Sequence, residues 1–144
     1  MSQPSFNLKM SAEESRRIAL QWVEYLVESR FDELTALGAP DATWWISGQK
    51  EQHPFVGTYP YSEREKQLKE VFKGRKTSTF TIRGITTEND TVVIEGSPRF
   101  EVEDGRIYEN DVVLKFVINK NGKVQSLREY VDLFAVLKFV EAKA

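Results

Sequence analysis

The stretch from Tyr108 to Phe134, YENDVVLKFVINKNGKVQSLREYVDLF, constrains this chain most. Two apolar runs flank Asn121-Gly122. Asn-Gly between alternating apolar runs is the strongest short-range signal for a β-hairpin, because both loop residues must accept positive φ. With those two residues as the loop, Lys120 lies opposite Lys123, Phe116 opposite Leu127, Leu114 opposite Glu129 and Val112 opposite Val131. Side chains alternate along a strand. Leu127, Val131 and Leu133 therefore share a face with Glu129, and Ser126, Arg128, Tyr130 and Asp132 take the other. Glu129 is then the one charged side chain on an apolar face. A carboxylate facing an apolar space is desolvated, which raises its pKa toward the range useful for general acid–base work. The competing reading pairs it with Arg128 or another cation at the sheet edge.

A chain of 144 residues suggests one domain with a real core. Residues 1–10 read as a flexible arm and 11–144 as the domain. The net charge of -2, with both signs spread along the chain, lacks the basic stripe of a nucleic-acid binder. No cysteine means no disulfide and no thiol chemistry. A single histidine argues against an imidazole-rich zinc site. No phosphate loop or ligand cluster points to a nucleotide or metal, so no cofactor is expected. No apolar run approaches the ~20 residues of a membrane span. No charged N-terminal region precedes an apolar core. The default expectation is a cytoplasmic protein with no membrane and no nucleic-acid partner.

Ser11 and Glu14 form a capping box that opens a helix near Ala12, running to about Ser29. Ile18, Trp22, Leu26 and Ser29 make its stripe, with Ala19, Val23 and Tyr25 beside it. Asp32 can cap a short helix from Glu33 to Leu37, which Gly38 ends. Pro40-Asp41 reads as a turn, and Ala42 to Ile46 as a short aromatic strand. Residues 47–61, with two Gly and two Pro, read as a loop of functional length carrying His53 and Tyr59. Ser62 and Glu65 make a second capping box for a helix to about Lys73, with Leu68, Val71 and Phe72 as its stripe. Strands follow at Thr77–Thr87 and Thr91–Glu103, then Arg106–Asn119 after a two-residue Asp104-Gly105 turn, then the last strand from Lys123. Residues 133–142 could extend that strand or form a closing helix. Helices grouped before an antiparallel sheet make an α+β domain. The Asp104-Gly105 turn opposes Asn110 to Arg99 and Leu114 to Glu95, which conflicts with Val92 and Ile94 as the buried set. A bulge near 96–98 would reconcile them and could turn Arg99 inward.

The element order, DATWWISG after the second helix, GRIYEN at the second hairpin and GKVQSLREYVD at the end resemble the SnoaL-like group of the nuclear-transport-factor-2-like superfamily. The resemblance covers about residues 12 to 135. It implies a cone-shaped barrel, a strongly curved, mostly antiparallel sheet wrapped around three N-terminal helices, with an apolar pocket and often a homodimer through the sheet. Known members include ketosteroid isomerase, limonene epoxide hydrolase, scytalone dehydratase, polyketide cyclases and non-catalytic binders. Glu129, in REY, stands where the hydrolase and cyclases carry a catalytic aspartate. Gly96 and Pro98 stand where the hydrolase needs an arginine and an aspartate. Ile46 occupies the position of the isomerase base, and Trp22 that of its oxyanion tyrosine. One histidine rules out the dehydratase pair.

These readings converge on a candidate acid–base site at Glu129, assisted by His53 as base or orienting group, or by Tyr59 as an oxyanion donor. His53 as an exposed loop residue and Tyr59 as an aromatic packed on the third helix are the bland alternatives. Trp22, Trp44 and Phe72, with Leu114 and Phe116, are candidate walls of an apolar pocket. Asn110 and an inward Arg99 are candidate polar contacts. The expected function is a cofactor-independent isomerase, cyclase or dehydratase acting on a small apolar polyketide-, terpenoid- or steroid-like substrate. The alternatives are a non-catalytic ligand-binding or scaffold dimer, and epoxide opening with a rearranged site.

Overall fold

A computed structural model describes residues 10–142. The arm expected at 1–10 falls almost wholly outside them. The elements are α1 (Ala12–Val27), α2 (Phe31–Ala36), β1 (Gly38–Ile46), β2 (Gly57–Pro60), α3 (Tyr61–Val71), β3 (Arg75–Glu88), β4 (Thr91–Val102), β5 (Ile107–Glu109), β6 (Val112–Ile118), β7 (Val124–Tyr130) and α4 (Leu133–Glu141). The strands form one curled, unclosed sheet in the order β2-β1-β7-β6-β4-β3, with β5 beside β4. Every pairing is antiparallel except β1 with β7. This is the α+β domain expected from the element order, with the sheet curled as the resemblance implied.

Local chemistry explains most of the elements. The Glu14 N–H donates to Ser11 Oγ at 3.1 Å and starts α1. The helix buries Ile18, Ala19, Trp22, Val23 and Leu26 as one stripe. Three other boundaries differ from expectation. Helix α2 begins at Phe31 behind Arg30, and no side chain caps it. Pro40-Asp41 lies within β1, which takes up a register irregularity between Gly38 and Thr43 against β7. Helix α3 starts at Tyr61 behind Pro60, so the Ser62–Glu65 box does not form. Glu65 is buried and pairs with Lys69 at 2.7 Å instead. Residues 133–142 form the closing helix: the Phe134 N–H donates to Asp132 Oδ1 at 3.0 Å.

The hairpin registers carry the most information. Leu114 does face Glu129 and Phe116 faces Leu127, yet not through a two-residue Asn-Gly loop. The Asn119 N–H donates to the Lys123 carbonyl at 2.8 Å, so three residues form the loop. Of these only Gly122 has positive φ, at 76°. The shift is undone within two residues, because Val117 pairs with Ser126 while Ile118 pairs with Val124, leaving Gln125 as a bulge. The second hairpin has no such compensation. The Val102 N–H donates to the Arg106 carbonyl at 3.1 Å around a three-residue loop with Gly105 at φ 94°. Strand β4 then keeps one register from end to end: Val92 with Phe116, Ile94 with Leu114, Arg99 with Glu109. No bulge forms on β4 at 96–98. The bulged residues are Lys76 and Arg83, on the neighbouring strand β3.

The inward faces of β1, β4 and β6 meet the α1 stripe in one core. Trp22 packs edge-on against Trp44 and Phe116, with ring centroids 5.4 and 5.3 Å apart. Burying each large apolar side chain contributes roughly 1.5–3 kcal/mol. Tyr61 ties the helical layer together: it accepts from Trp22 Nε1 at 3.0 Å and donates to the Leu34 carbonyl at 2.7 Å. Its ring lies where a Cβ on Gly38 would be, 2.4 Å away, so only glycine fits there. No helix among the described residues is long and apolar enough to cross a membrane.

Candidate functional site

The cone encloses an apolar cavity of about 50 Å³. A water needs roughly 10–15 Å³ by such a measure, so the cavity has room for a few waters or a ligand of similar bulk. Trp22 and Leu26 come from α1, and Leu68 and Phe72 from α3 and its end. Phe80 comes from β3, Pro98 and Phe100 from β4, and Leu114 from β6. Val136 and Phe139 of α4 close the remaining side. Apart from the two indoles, three polar side chains among the described residues reach the lining: Glu129, Arg64 and Tyr108.

Glu129 sits at the cavity wall because β1 runs parallel to β7, with Ile46 paired to Glu129 and Trp44 to Leu127. Trp44 Nε1 donates to Glu129 Oε1 at 2.9 Å. Oε2 has no hydrogen-bond partner among the described residues. Burial pushes the Glu129 carboxyl above its usual range, while the Trp44 hydrogen bond and the Arg64 charge pull the other way. Pairing with Arg128 does not occur. Arg128 lies on the opposite face, its guanidinium 3.8 Å from the Trp45 ring centroid and its Nε donating to Tyr130 Oη at 3.3 Å.

Arg64 is the residue that sequence reasoning passed over. It is 1 % exposed. Its Nε donates to the Trp44 carbonyl at 3.3 Å, Nη1 to the Phe55 carbonyl at 2.6 Å and Gln67 Oε1 at 2.7 Å, and Nη2 to the Gly57 carbonyl at 2.5 Å. Burial pushes its guanidinium down to about 10, against the pull of Glu129. Arg64 thereby fixes the segment before α3 to the cavity wall and places a cation behind Glu129. The signal was available: counting back from Leu68 by one helical turn reaches residue 64, a charged side chain on an apolar stripe.

The other candidates divide by position. Trp22, Trp44, Phe72 and Leu114 line the cavity. The Trp22 N–H is spent on Tyr61, so it offers no donor inward. Phe116 is fully buried beside Trp22, in the core and not in the lining. His53 stays in its loop, outside the lining, where Nδ1 accepts the Phe55 N–H at 3.0 Å. Tyr59 is half-buried on β2: its hydroxyl donates to the Pro54 carbonyl and its ring carries the Arg64 guanidinium at 4.4 Å. Its register opposite Trp44 puts it on the inward face of β2, but it stays outside the cavity lining. Arg99 points outward and pairs with exposed Glu109 at 3.4 Å, because β4 lacks the bulge that would have turned it. Asn110 is buried but outside the lining, at the break between β5 and β6. Its Oδ1 accepts the N–H groups of Asp111 and Asp132, and its Nδ2 donates to Tyr108 Oη at 2.7 Å and to the Asp132 carbonyl at 3.1 Å. Burial, then the Glu129 charge, push the Tyr108 hydroxyl upward.

Comparison with known proteins agrees with this architecture. The SnoaL-like domain model matches residues 19–136. UPF0523 protein C of Dictyostelium discoideum is 25% identical over 130 residues, covering 85% of this chain and 83% of that protein. Among solved structures, an NTF2-like protein of Burkholderia xenovorans superposes with a TM-score of 0.67 at 23% identity, covering 91% of this chain and 98% of its own. An LEH-like epoxide hydrolase of M. tuberculosis gives 0.70 at 17%, covering 90% and 91%. A pinacolase of Penicillium brevicompactum gives 0.73 at 16%, covering 90% and 93%. These structural likenesses carry the fold, and with a family match that runs from the first helix to the last, the chain belongs to the SnoaL-like domain family.

Proposed function

We propose that this chain is a cofactor-independent acid–base enzyme acting on a small apolar molecule, with Glu129 as the group that moves the proton. One observation carries this reading: a carboxyl faces an aromatic cavity with Oε1 held by Trp44 and Oε2 unpartnered among the described residues. A carboxyl so placed is tuned toward neutral pH and is geometrically free on one oxygen. Isomerisation, cyclisation, dehydration and epoxide opening all need such a group. Epoxide opening fits least well, since Arg99 points away. Turnover of small ketones, enones and epoxides by wild type and Glu129→Gln tests the proposal. The expected result is a loss of about 10²-fold or more in Glu129→Gln with ligand binding retained. Unchanged turnover in the variant sinks the reading.

A second reading, a non-catalytic ligand-binding dimer, is favoured by the small cavity and by the absence of His53, Tyr59 and Arg99 from its lining. It predicts binding without turnover for every compound in the same screen. On either reading we propose self-association through the outer sheet face. Trp45, Arg128 and Tyr130 stack there, and Trp, Tyr and Arg are the residues enriched at interface hot spots. Sedimentation of Trp45→Ala against wild type tests it.

A further inference from the structure

We propose that the outer face of the sheet carries a second site, a polar groove along β3, β4 and β5 that binds a free α-amino acid with an apolar side chain. The groove lies outside the cone and does not include Glu129, so it stands apart from the reading above. Its volume is about 410 Å³, within the roughly 300–1,000 Å³ of small-ligand sites. Strand register sorts its side chains into bands. Thr81 pairs with Ser97 and Thr79 with Arg99 across β3 and β4, and Arg99 pairs with Glu109 across β4 and β5. Asp111 beyond Glu109 and Asp132 before α4 complete the far wall. Across the groove the order is hydroxyls, guanidinium groups, then carboxylates. Strand β6 separates it from the Trp45–Arg128–Tyr130 stack, so the two surfaces do not overlap.

Arg83 decides the chemistry. It is the bulged residue on β3, and Gly84 after it has no side chain to crowd it. Bulges re-aim a side chain. Arg83 Nε donates to Ser97 Oγ at 2.8 Å, and Ser97 Oγ donates to Asp111 Oδ1 at 2.7 Å. The guanidinium is thus held over β4, yet among the described residues it makes no ion pair and its two Nη nitrogens have no acceptor. Arg99 is held only by exposed Glu109 at 3.4 Å, and exposed pairs of this kind hold weakly. Two guanidinium forks with free terminal nitrogens suit a planar carboxylate. On the far wall Asp111 and Asp132 each keep Oδ2 without a partner among the described residues, where an ammonium can donate. A plain anion would meet Glu109, Asp111 and Asp132, and a plain cation would meet Arg83 and Arg99. A zwitterion satisfies both walls. The apolar part follows from the neighbouring depression. It shares Glu109, Asp132 and Ala135 with the groove and runs on to Ile107 and Phe134, which are 45% and 84% exposed. An amino acid with its ammonium on the carboxylate wall places its side chain on that patch.

Titration calorimetry with L-phenylalanine tests the assignment. Wild type and Glu129→Gln are expected to bind it equally. Arg83→Gln and Asp111→Asn, both exposed positions, are expected to bind about tenfold or more weakly, since each loses one charge-assisted contact. N-acetyl-L-phenylalanine lacks the ammonium, phenethylamine lacks the carboxylate and glycine lacks the side chain, and each is expected to bind more weakly than L-phenylalanine. NMR of the wild type needs no variant: amide shifts on titration should concentrate at residues 79–83, 97–99 and 109–111. No saturable binding of L-phenylalanine by wild type overturns the proposal. Unchanged binding in both Arg83→Gln and Asp111→Asn, or weakened binding in Glu129→Gln, takes the ligand out of the groove. Equal binding of N-acetyl-L-phenylalanine or of phenethylamine overturns the zwitterion class, and equal binding of glycine overturns the apolar end of the site.

Discussion

Glu129 couples the chemistry of the cavity to the stability of the fold. Its folded pKa lies above the ordinary 4.5, so the folded state holds this proton more tightly than the unfolded chain does. Its contribution is therefore most favourable below the unfolded value and is lost as pH rises through 4.5 toward the raised folded value. Glu129→Gln keeps an acceptor for Trp44 and has no charge to bury. The variant is expected to match wild type near acid pH and to melt a few degrees higher at neutral pH, where ~1 kcal/mol moves Tm by about 2–4 °C in a chain of this size. Thermal scans at several pH values check this, and a gap that widens toward acid would contradict it. Glu129 was legible because two errors cancelled: the loop is one residue longer than Asn-Gly implies, and the Gln125 bulge restores the alternation. Tyr108 was not singled out, because the break at Asn110-Asp111 hides its relation to β6. Arg99 was misplaced because the second hairpin has the longer loop without any compensating bulge on β4.

Helix α3 shows what a charged residue on an apolar stripe does when it is a cation. Arg64 bonds three backbone carbonyls and one side-chain amide in a buried wall. A planar fork with donors on three nitrogens can serve four acceptors at once, and a lysine ammonium at the end of a flexible stem cannot. Arg64→Lys leaves at least one buried carbonyl without a donor, at about 1–3 kcal/mol each. Urea denaturation of Arg64→Lys is expected to show a loss of about 2–3 kcal/mol. A loss below ~0.5 kcal/mol, the level of ordinary surface substitutions, would show that the network is dispensable. The helix itself was readable from its Leu68 and Phe72 spacing. Its start was not, since Ser62 and Glu65 satisfy the capping-box pattern while Tyr61 is drawn inward by Trp22 and Leu34. A tertiary hydrogen bond to a buried aromatic outweighed a local cap worth ~1 kcal/mol.

At the scale of the whole molecule, the sheet supplies one side of the cavity but does not close it, because β2 and β3 remain separate edges. Closure falls to α4. The apolar run at 133–142 left strand and helix open, and the Asp132 cap decides for helix. The Asn110 contacts to Asp132 then hold its start, and Arg106 holds its end by donating to the Phe139 carbonyl at 3.1 Å and stacking on that ring at 4.7 Å. Phe139 also packs on Phe72 at 5.5 Å and on Tyr108, so one side chain joins the lid to both walls. Phe139→Ala is expected to cost about 3–5 kcal/mol, a large share of the roughly 5–15 kcal/mol that a domain of this kind has. The chain should stay folded at low temperature, with a lower urea midpoint and an unchanged slope. The space vacated by the ring opens directly into the cavity, so the variant should admit larger apolar ligands than wild type. A series of alkylbenzenes of increasing size, read by thermal shift, measures that limit. If the largest ligand bound is the same in both proteins, α4 is not the wall that sets the size of the site.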